Sequence, residues 1–541
     1  MRFQIILPYQ HSDEQLREAV RQRLGADMPF RILKRSVDAR QHRNIRVEYS
    51  ITTDLADPVD ALRETVAAQR DRLRSRTRAS APPLVVGSGP AGLFCAYWLM
   101  LHELRPILLE QGPPMRRRVR DMARFMKQGD LHPWSNICFG AGGAGTYSDG
   151  KLITRIRSPY IPFIMQTFVD YGAPENIRYL YNPHLGSNRI RQCITRMLDD
   201  LSRRGMEIRY ETRFTGYDSD DEGRIRSART AADEMIPLDA LFLATGHSSR
   251  EVYVLLRNRQ VAMSLKEFAM GVRVEHPAAA VNAMQYGAGY QTRYPRIETA
   301  QYRVAKTWKK DNRAVYSFCM CPGGYVLNAS SDTRGVVTNG MSNYLKSGRF
   351  SNAAIVVNVS REDLAALGYD GIDAGMELQR ELEERFRAAV NTPGSCHVVP
   401  GQRLADFLNG CSSSALGETS CLNPVAPAPM HDMFPPFIGD GLRRGFAHFE
   451  HRMPGFASHT QAQVFGVESR TSAPYRIERS DGALTSPQHE NLYPVGEGAG
   501  YAGGITSAAV DGIRAAQAYI ARLLGEDLFA ADVSRAREET P

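Results

Sequence analysis

The chain is sparing with the features that would place it at a glance. Its eight cysteines are scattered through 541 residues without a regular framework, and no two of them stand in a Cys-x-x-Cys spacing. In a large chain with no secretory signal this distribution predicts reduced thiols. It excludes a disulfide scaffold, and no second pair is present to complete a structural zinc site, so no metal is expected. The one close pair, Cys319-Met-Cys321, has a single intervening residue where a redox dithiol usually has two, and it reads as two buried strand cysteines. Nowhere does the sequence approach the roughly 20 consecutive apolar residues of a membrane helix. The opening "MRFQIILPYQHSDEQ" has too short an apolar run for a signal peptide. A cytoplasmic protein with no membrane contact is expected.

Charge is present but uneven. The net charge is +8, and residues 1 to 80 supply +5 of it, with 16 Lys+Arg against 11 Asp+Glu. The basic run "RDRLRSRTR" at 70 to 78 could meet nucleic acid or an acidic surface. It has no interleaved aromatics on which bases could stack, and cations at the end of a helix complement its dipole, so a solvated helix end is the better reading.

A chain of this length exceeds one compact core, so two or three domains are expected. Residues 1 to 80 read as a small α+β unit. "FQIILPY" is a strand, Ser12 caps a helix with Gln15 three residues on and Gly25 as its stop, two β-like stretches follow, and a helix runs from about Val59 to Arg76. "RASAPP" then reads as a linker.

The strongest signal comes next. In "PLVVGSGPAGLFCAYWLMLHELRPILLEQG" a hydrophobic strand enters Gly87-x-Gly89-x-x-Gly92, a helix follows, and a second strand ends on Glu110. Gly87 makes the tight turn, Gly89 lets backbone approach a pyrophosphate, and Gly92 lets helix and strand pack closely, with Pro90 and Ala91 opening a helix whose N-terminus faces the phosphates. Glu110 is placed to accept hydrogen bonds from a ribose diol. A second glycine segment, "FGAGGAGTYSDGK", lies at 139 to 151, and "LDALFLATGHSS" ends a buried strand on Thr245 and Gly246. Near the end of the chain, "VGEGAGYAGGITSAAVDG" sets five glycines within the nine residues 496 to 504. It then opens a helix at about Ile505. Exposed amides and a positive helix end there would stabilise charge building on a reduced flavin, a contact that NAD enzymes do not need.

These segments, with "NPHLGSNRI", "GVRVEHP", "YSFCMCPGGYVLNAS", "VVTNGMSNY" and "PGFASHTQAQVFGVESRTSAP", resemble over nearly the whole chain the large family of mostly uncharacterised bacterial FAD-dependent dehydrogenases. The resemblance implies an α/β fold: a glutathione-reductase-type, Rossmann-like FAD-binding domain at 82–254, closed by 481–530, with an inserted α+β substrate domain at 255–480. It implies non-covalent FAD. Gly87, Gly89 and Gly92 would cradle the pyrophosphate, Glu110 the ribose, and Arg118 would balance phosphate charge, while Arg116 and Arg117 read equally as solvated. Phe214 would offer backbone to adenine. Gly142, Gly143, Ala144, Gly145 and Thr146 would line the flavin, together with Thr245, Gly246, Gly496, Gly503, Gly504 and Ile505. Glu497 stands where many flavoproteins carry an Asp on the ribityl chain.

Three candidates for chemistry remain. Lys151 could meet flavin N5 or a substrate acid, or be a salt-bridged loop lysine. His247 could act as a proton donor near neutral pH, or bond to backbone. Arg273, on one face of "GVRVEHP" with Glu275, could clamp a substrate carboxylate or pair with a nearby acid. The expected activity is hydride transfer between flavin N5 and a small organic substrate. With a single GxGxxG unit, NAD(P)H would serve only as a transient reductant. Two alternatives stand beside it: a flavin monooxygenase or C=C-saturating reductase of the geranylgeranyl-reductase sort, and an FAD-containing binding protein whose basic N-terminal unit contacts RNA or a partner.

Overall fold

The computed structural model describes residues 1–76 and 81–526. The end of the basic run and the first half of the expected linker, residues 77–80, lie outside the described residues, as do 527–530 of the expected closing segment.

The N-terminal unit forms as its sequence dictates. Strands Arg2–Pro8, Arg46–Thr52 and Arg31–Asp38 make an antiparallel sheet with the middle segment in the centre. Helix Asp13–Leu24 begins with a reciprocal cap: the Ser12 Oγ accepts from the Gln15 N–H at 3.2 Å and the Gln15 Oε1 accepts from the Ser12 N–H at 2.8 Å. Gly25 ends it in the left-handed region. Phe3, Ile5, Leu16, Val20, Val47, Tyr49 and Ile51 close a small core of their own. Helix Pro58–Arg74 does not complete this unit. Its apolar side, Val59, Leu62 and Val66, joins the core of the following domain, so the small sheet ends near residue 54 and the helix becomes a cover for its neighbour.

That neighbour is built on a five-stranded parallel sheet, in the order Leu492–Pro494, Leu241–Leu243, Leu84–Val86, Ile107–Leu109, Glu207–Arg209. The inner strands are short apolar runs because both faces are covered. Helices Pro90–Leu101, Ile505–Leu524, Gly186–Arg203 and Tyr160–Asp170 cover one face. The antiparallel strands Phe214–Ser219, Ile225–Thr230 and Met235–Pro237, with helix Arg250–Asn258, cover the other. Strand order reverses on either side of Leu84–Val86, so the turn after that strand opens into the crevice where such sheets hold ligands.

The segment between is a seven-stranded sheet with Phe268–Pro277 and Phe350–Val359 near its centre, paired antiparallel over ten residues each. Val272 and Val274 face helices Ala374–Ala388 and Pro436–Arg452 in an apolar core, as the alternation predicts. The Pro- and Ser-rich stretch 411–436 runs mostly as irregular, exposed or half-buried chain and is tied down at two places. Val425–Pro427 joins the sheet edge, and Ser420 donates to the buried Glu275 carboxylate through both its N–H and its hydroxyl.

Helices Pro90–Leu101 and Ile505–Leu524 touch backbone to backbone. A Cβ at Gly512 would stand 2.0 Å from the Ala91 carbonyl oxygen, whereas one at Gly439 would meet only Arg443 Nη1 at 3.6 Å and the His431 carbonyl at 4.0 Å. Gly512→Ala is therefore expected to destabilise the protein by about 1–3 kcal/mol. Gly439→Ala should stabilise it by about 0.5–1 kcal/mol. Denaturant unfolding of both variants checks this, and equal effects would contradict the close helix contact.

Candidate functional site

Segments more than 400 residues apart in sequence wall one cavity of about 330 Å³. Gly87, Gly89, Pro90 and Ala91 come from the first glycine turn, and Gly143, Ala144 and Gly145 from the second. Thr245 and Gly246 end the buried strand, and Glu497, Gly503, Gly504 and Ile505 come from the last turn. Glu110 and Phe214 line it as well. The turns meet closely: a Cβ at Gly143 would stand 2.8 Å from the Gly89 Cα, and one at Gly145 would stand 3.2 Å from Ile505 Cγ1.

The glycines divide into two kinds. Gly92 is required by packing, since a Cβ there would lie 1.9 Å from the Gly87 carbonyl oxygen. Gly142 and Gly496 serve the same end and do not line the cavity. The Gly142 N–H donates to Ser88 Oγ at 3.1 Å and the Gly496 N–H to Asp511 Oδ2 at 2.7 Å. Gly503 and Gly504 are different. No described atom lies within 4 Å of a Cβ at Gly503, and only Ser507 Oγ, at 3.9 Å, lies near one at Gly504. Neither residue has a positive φ that would call for glycine. Gly89 likewise would meet only the Gly143 Cα, at 3.9 Å. Internal packing gives no reason for glycine at these three positions, and each borders the cavity; a ligand filling that space gives one. No described side chain caps the N-terminus of helix Pro90–Leu101 or of helix Ile505–Leu524. Both first turns thus present free amides and positive dipole ends to the cavity.

Glu110 is a clasp as well as a wall. One oxygen accepts from the Ser88 N–H (3.1 Å) and hydroxyl (2.6 Å), the other from the Gly112 and Gly140 N–H groups at 2.9 and 3.1 Å. A sugar hydroxyl binding there would replace the Ser88 hydroxyl. Arg118 is corrected outright. It is fully buried, and its guanidinium donates to the carbonyls of Asn136, Ile137, Gly140, Ala141 and Gly143 and to Thr146 Oγ1. It shapes the second glycine turn from behind and has no face toward a phosphate. Thr146, its partner, is likewise behind the wall, while Arg117 pairs with Glu211 at the surface.

Lys151 lines the cavity but is not free. Its Nζ donates to Asp149 Oδ2 at 2.5 Å and to the Met320 carbonyl. Asp149 also meets His184 Nε2 at 3.1 Å and accepts from the Ser342 hydroxyl. Burial opposes ionisation of Asp149, but Lys151 and His184 outweigh it and hold its carboxyl below the usual range.

His247 and Glu497 face each other at 3.6 Å. Burial, with Arg470 and Arg250 nearby, brings the imidazole down to about 4, so at neutral pH it is uncharged and is not the proton donor expected of it. Burial pushes the Glu497 carboxyl up to about 7, against Lys266 and with Cys319. Of the pair, the carboxyl is the group that keeps its proton up to about neutral pH.

Arg273 is the third correction. It is fully buried behind the cavity wall, with Nη2 and Nε donating to the Glu468 carboxylate at 2.7 and 2.9 Å and Nη1 to Asn352 Oδ1 at 2.9 Å, and it reaches the wall residues only as support, through the Cys319 carbonyl at 3.3 Å and Asn339 Oδ1 at 3.4 Å. His276 Nε2 lies 2.6 Å from the Phe456 carbonyl, and Tyr501 turns outward to bond the Ile477 carbonyl. Gly323 and Gly324 carry the chain from strand Arg313–Cys321 to strand Gly324–Asn328 of a different sheet, closely against the Lys346 and Met341 carbonyls. Sequence reasoning missed Asp149, Phe318, Cys319, Asn339 and Arg470, all of which border the cavity. Asp149 stood inside the second glycine segment, where its spacing from Lys151 was a usable signal. The others depend on tertiary placement.

Residues 267–471 match the family described as FAD-dependent protein, C-terminal domain-like, and residues 2–54 match a domain of unknown function. An uncharacterized protein of Clostridium beijerinckii is 36% identical over 503 residues, covering 90% of this chain and 91% of that one. Among solved structures, Pseudomonas aeruginosa PqsL in complex with 2-aminobenzoylacetate aligns over 84% of this chain and 88% of its own at 14% identity, with a TM-score of 0.30. The tetracycline destructase Tet(51) aligns over 84% of each chain at 9% identity (TM-score 0.34), and CtdE in complex with FAD over 83% and 92% at 9% identity (TM-score 0.29). These structural likenesses are too distant to bear on chemistry.

Two outcomes follow from the geometry. Arg273→Met leaves the buried Glu468 carboxyl without its cation, and should cost about 3–5 kcal/mol in denaturant unfolding, while Arg273→Met with Glu468→Leu should recover most of that loss. Equal stability of the single variant and wild type would return Arg273 to the substrate-binding candidates. An unfolded chain releases the Glu497 proton near the ordinary glutamate value of 4.5, and the folded one keeps it to about 7. From about pH 5 to 7 the cofactor-free protein should therefore lose up to about 1.4 kcal/mol of stability per pH unit on account of this group. Glu497→Gln, uncharged throughout, should remove that slope; an unaltered slope would mean that the carboxyl is ionised in the fold.

Proposed function

The chain and its Clostridium beijerinckii relative belong to one family of FAD-dependent proteins and FAD is its cofactor, and from that premise we propose that it is an oxidoreductase acting on a small organic substrate. The observation that carries the reading is the ring of bare glycines and uncapped helix ends around one cavity, because both favour an extended, anionic ligand that lies against backbone. We read the layered parallel sheet as a glutathione-reductase-type FAD domain, with the seven-stranded sheet as the substrate side.

In this reading the first glycine turn, Gly87 to Ala91, holds the pyrophosphate on the amides of helix Pro90–Leu101. Glu110 takes the ribose through the oxygen now shared with Ser88, and Phe214 borders the adenine end. Gly143 to Gly145, Thr245, Gly246, Glu497, Gly503, Gly504 and Ile505 hold the remainder, non-covalently. When bound, FAD supplies a two-electron redox centre that exchanges hydride at N5. The chain's own residues do the rest. The amide end of helix Ile505–Leu524 stabilises negative charge beside it. Glu497 holds a proton near neutral pH, and the Lys151–Asp149 pair keeps a fixed cation at the wall. Because the GxGxxG unit is accounted for by FAD, a nicotinamide donor would be a transient visitor to the open side of the cavity.

Gly89→Leu should leave the protein folded, since nearby space is free, yet it should abolish FAD retention, read from absorbance of the purified protein. A fully loaded variant would overturn the pyrophosphate placement. Anaerobic mixing of wild type with oxidisable metabolites and with NADPH should bleach the flavin band for at least one donor class. Failure with every organic donor and with NADPH would overturn the oxidoreductase reading.

A further inference from the structure

Cys321 is the buried strand cysteine that the pattern predicts, and Cys319 is not. Strand Arg313–Cys321 pairs regularly with Phe350–Val359 as far as Phe318 opposite Ala354, and the next pair is Cys321 opposite Asn352. Three steps on one strand thus match two on the other. The extra residue makes a bulge, and within it Cys319 takes a positive φ of 45°. This conformation is costly for a side-chain-bearing residue and is commonly found where a side chain is re-aimed at a functional site. Here it places Cys319 on the cavity wall beside Phe318 and Asn339, with Cys321 buried behind it.

The surroundings suit an ionised sulfur. The Cys321 Sγ donates to the Cys319 carbonyl at 3.3 Å. The neighbouring Cys321 thiol, with Lys151 and Arg273, favours an ionised Cys319 sulfur against the opposing effect of burial, so the Cys319 thiol is held below its ordinary range while burial pushes that of Cys321 up. Lys151 and Arg273 also tie down the bulge through the Met320 and Cys319 carbonyls. One low and one high thiol two residues apart across a bulge, with the low one on the cavity wall, is the arrangement of an attacking and a resolving sulfur.

We propose that Cys319 and Cys321 are a redox-active dithiol that exchanges two electrons with FAD and, through Cys319, with a thiol or disulfide substrate entering the cavity. This deepens the oxidoreductase reading and rests on it. In the oxidative direction the Cys319 thiolate and the Cys321 thiol lose one proton and two electrons between them, and one S–S bond forms. FAD takes the two electrons, with that proton and one from solvent. A dithiol substrate restores the pair by thiol–disulfide exchange, leaving as its disulfide.

The FAD-loaded protein provides the test. After treatment with a mild thiol oxidant, acid quenching and alkylation, mass spectrometry should find the peptide carrying both residues lighter by two hydrogens and unalkylated. Anaerobic titration should consume four electrons per FAD in wild type, two for the flavin and two for the disulfide, against two in Cys319→Ser and in Cys321→Ser. In the reduced protein, Lys151→Met should slow alkylation of Cys319 at pH 7 several-fold. Free thiols after oxidation, or two electrons per FAD in wild type, would overturn the dithiol. Reduction of the flavin by an organic donor in that same sample would leave the oxidoreductase reading standing.

Discussion

The structure depends on backbone meeting backbone where side chains are absent. Gly87, Gly92 and Gly512 leave no room for a Cβ among the ends of strands Leu84–Val86 and Leu241–Leu243, the helix Pro90–Leu101 and the last helix Ile505–Leu524. Gly143 is similarly crowded against Gly89. These contacts bring two uncapped helix ends and three turns within reach of one cavity. The cavity therefore owes its outline to the main chain, with charged residues either bracing that frame or facing it.

The charged residues then divide by whether they face that frame or support it. Arg118 gathers five carbonyls behind the second glycine turn. Glu383 joins Arg250 and Arg470 in a buried cluster, with contacts of 3.0 and 2.8 Å, at the junction of the two large sheets. Arg470 does both, bordering the cavity as well, and Lys151, His247 and Glu497 reach the cavity itself. Burial has opposite results for the last two, neutralising the imidazole by lowering its proton affinity and the carboxyl by raising it. This histidine–carboxyl pair thus carries less charge at neutral pH than its residue types suggest.

The sequence displays the first of these layers well and the second poorly, for a physical reason. A tight turn, a helix cap or a strand's alternation is settled among near neighbours, so Gly87 to Gly92, the Ser12 cap and the Val272/Val274 face can all be read from spacing. The partner of a buried charge is settled by the whole fold. Arg273 looks like a clamp for a carboxylate, and it is one, but the carboxylate is Glu468, 195 residues further on. Arg118 follows an acid at the end of a strand as a phosphate-binding arginine would, yet its carbonyl partners arise from the fold of a loop about 20 residues away. Cys319 was hidden for a related reason: a bulge belongs to the pairing of two strands and leaves no mark on either alone.

One measurement tests the central claim most directly. A crystal structure of the protein with FAD should place the pyrophosphate against the Gly87–Ala91 turn and the flavin ring between Gly143–Gly145 and the first turn of helix Ile505–Leu524. FAD lying elsewhere, or its ring turned away from Gly503 and Gly504, would contradict the claim that these distant glycine turns converge on a single cofactor.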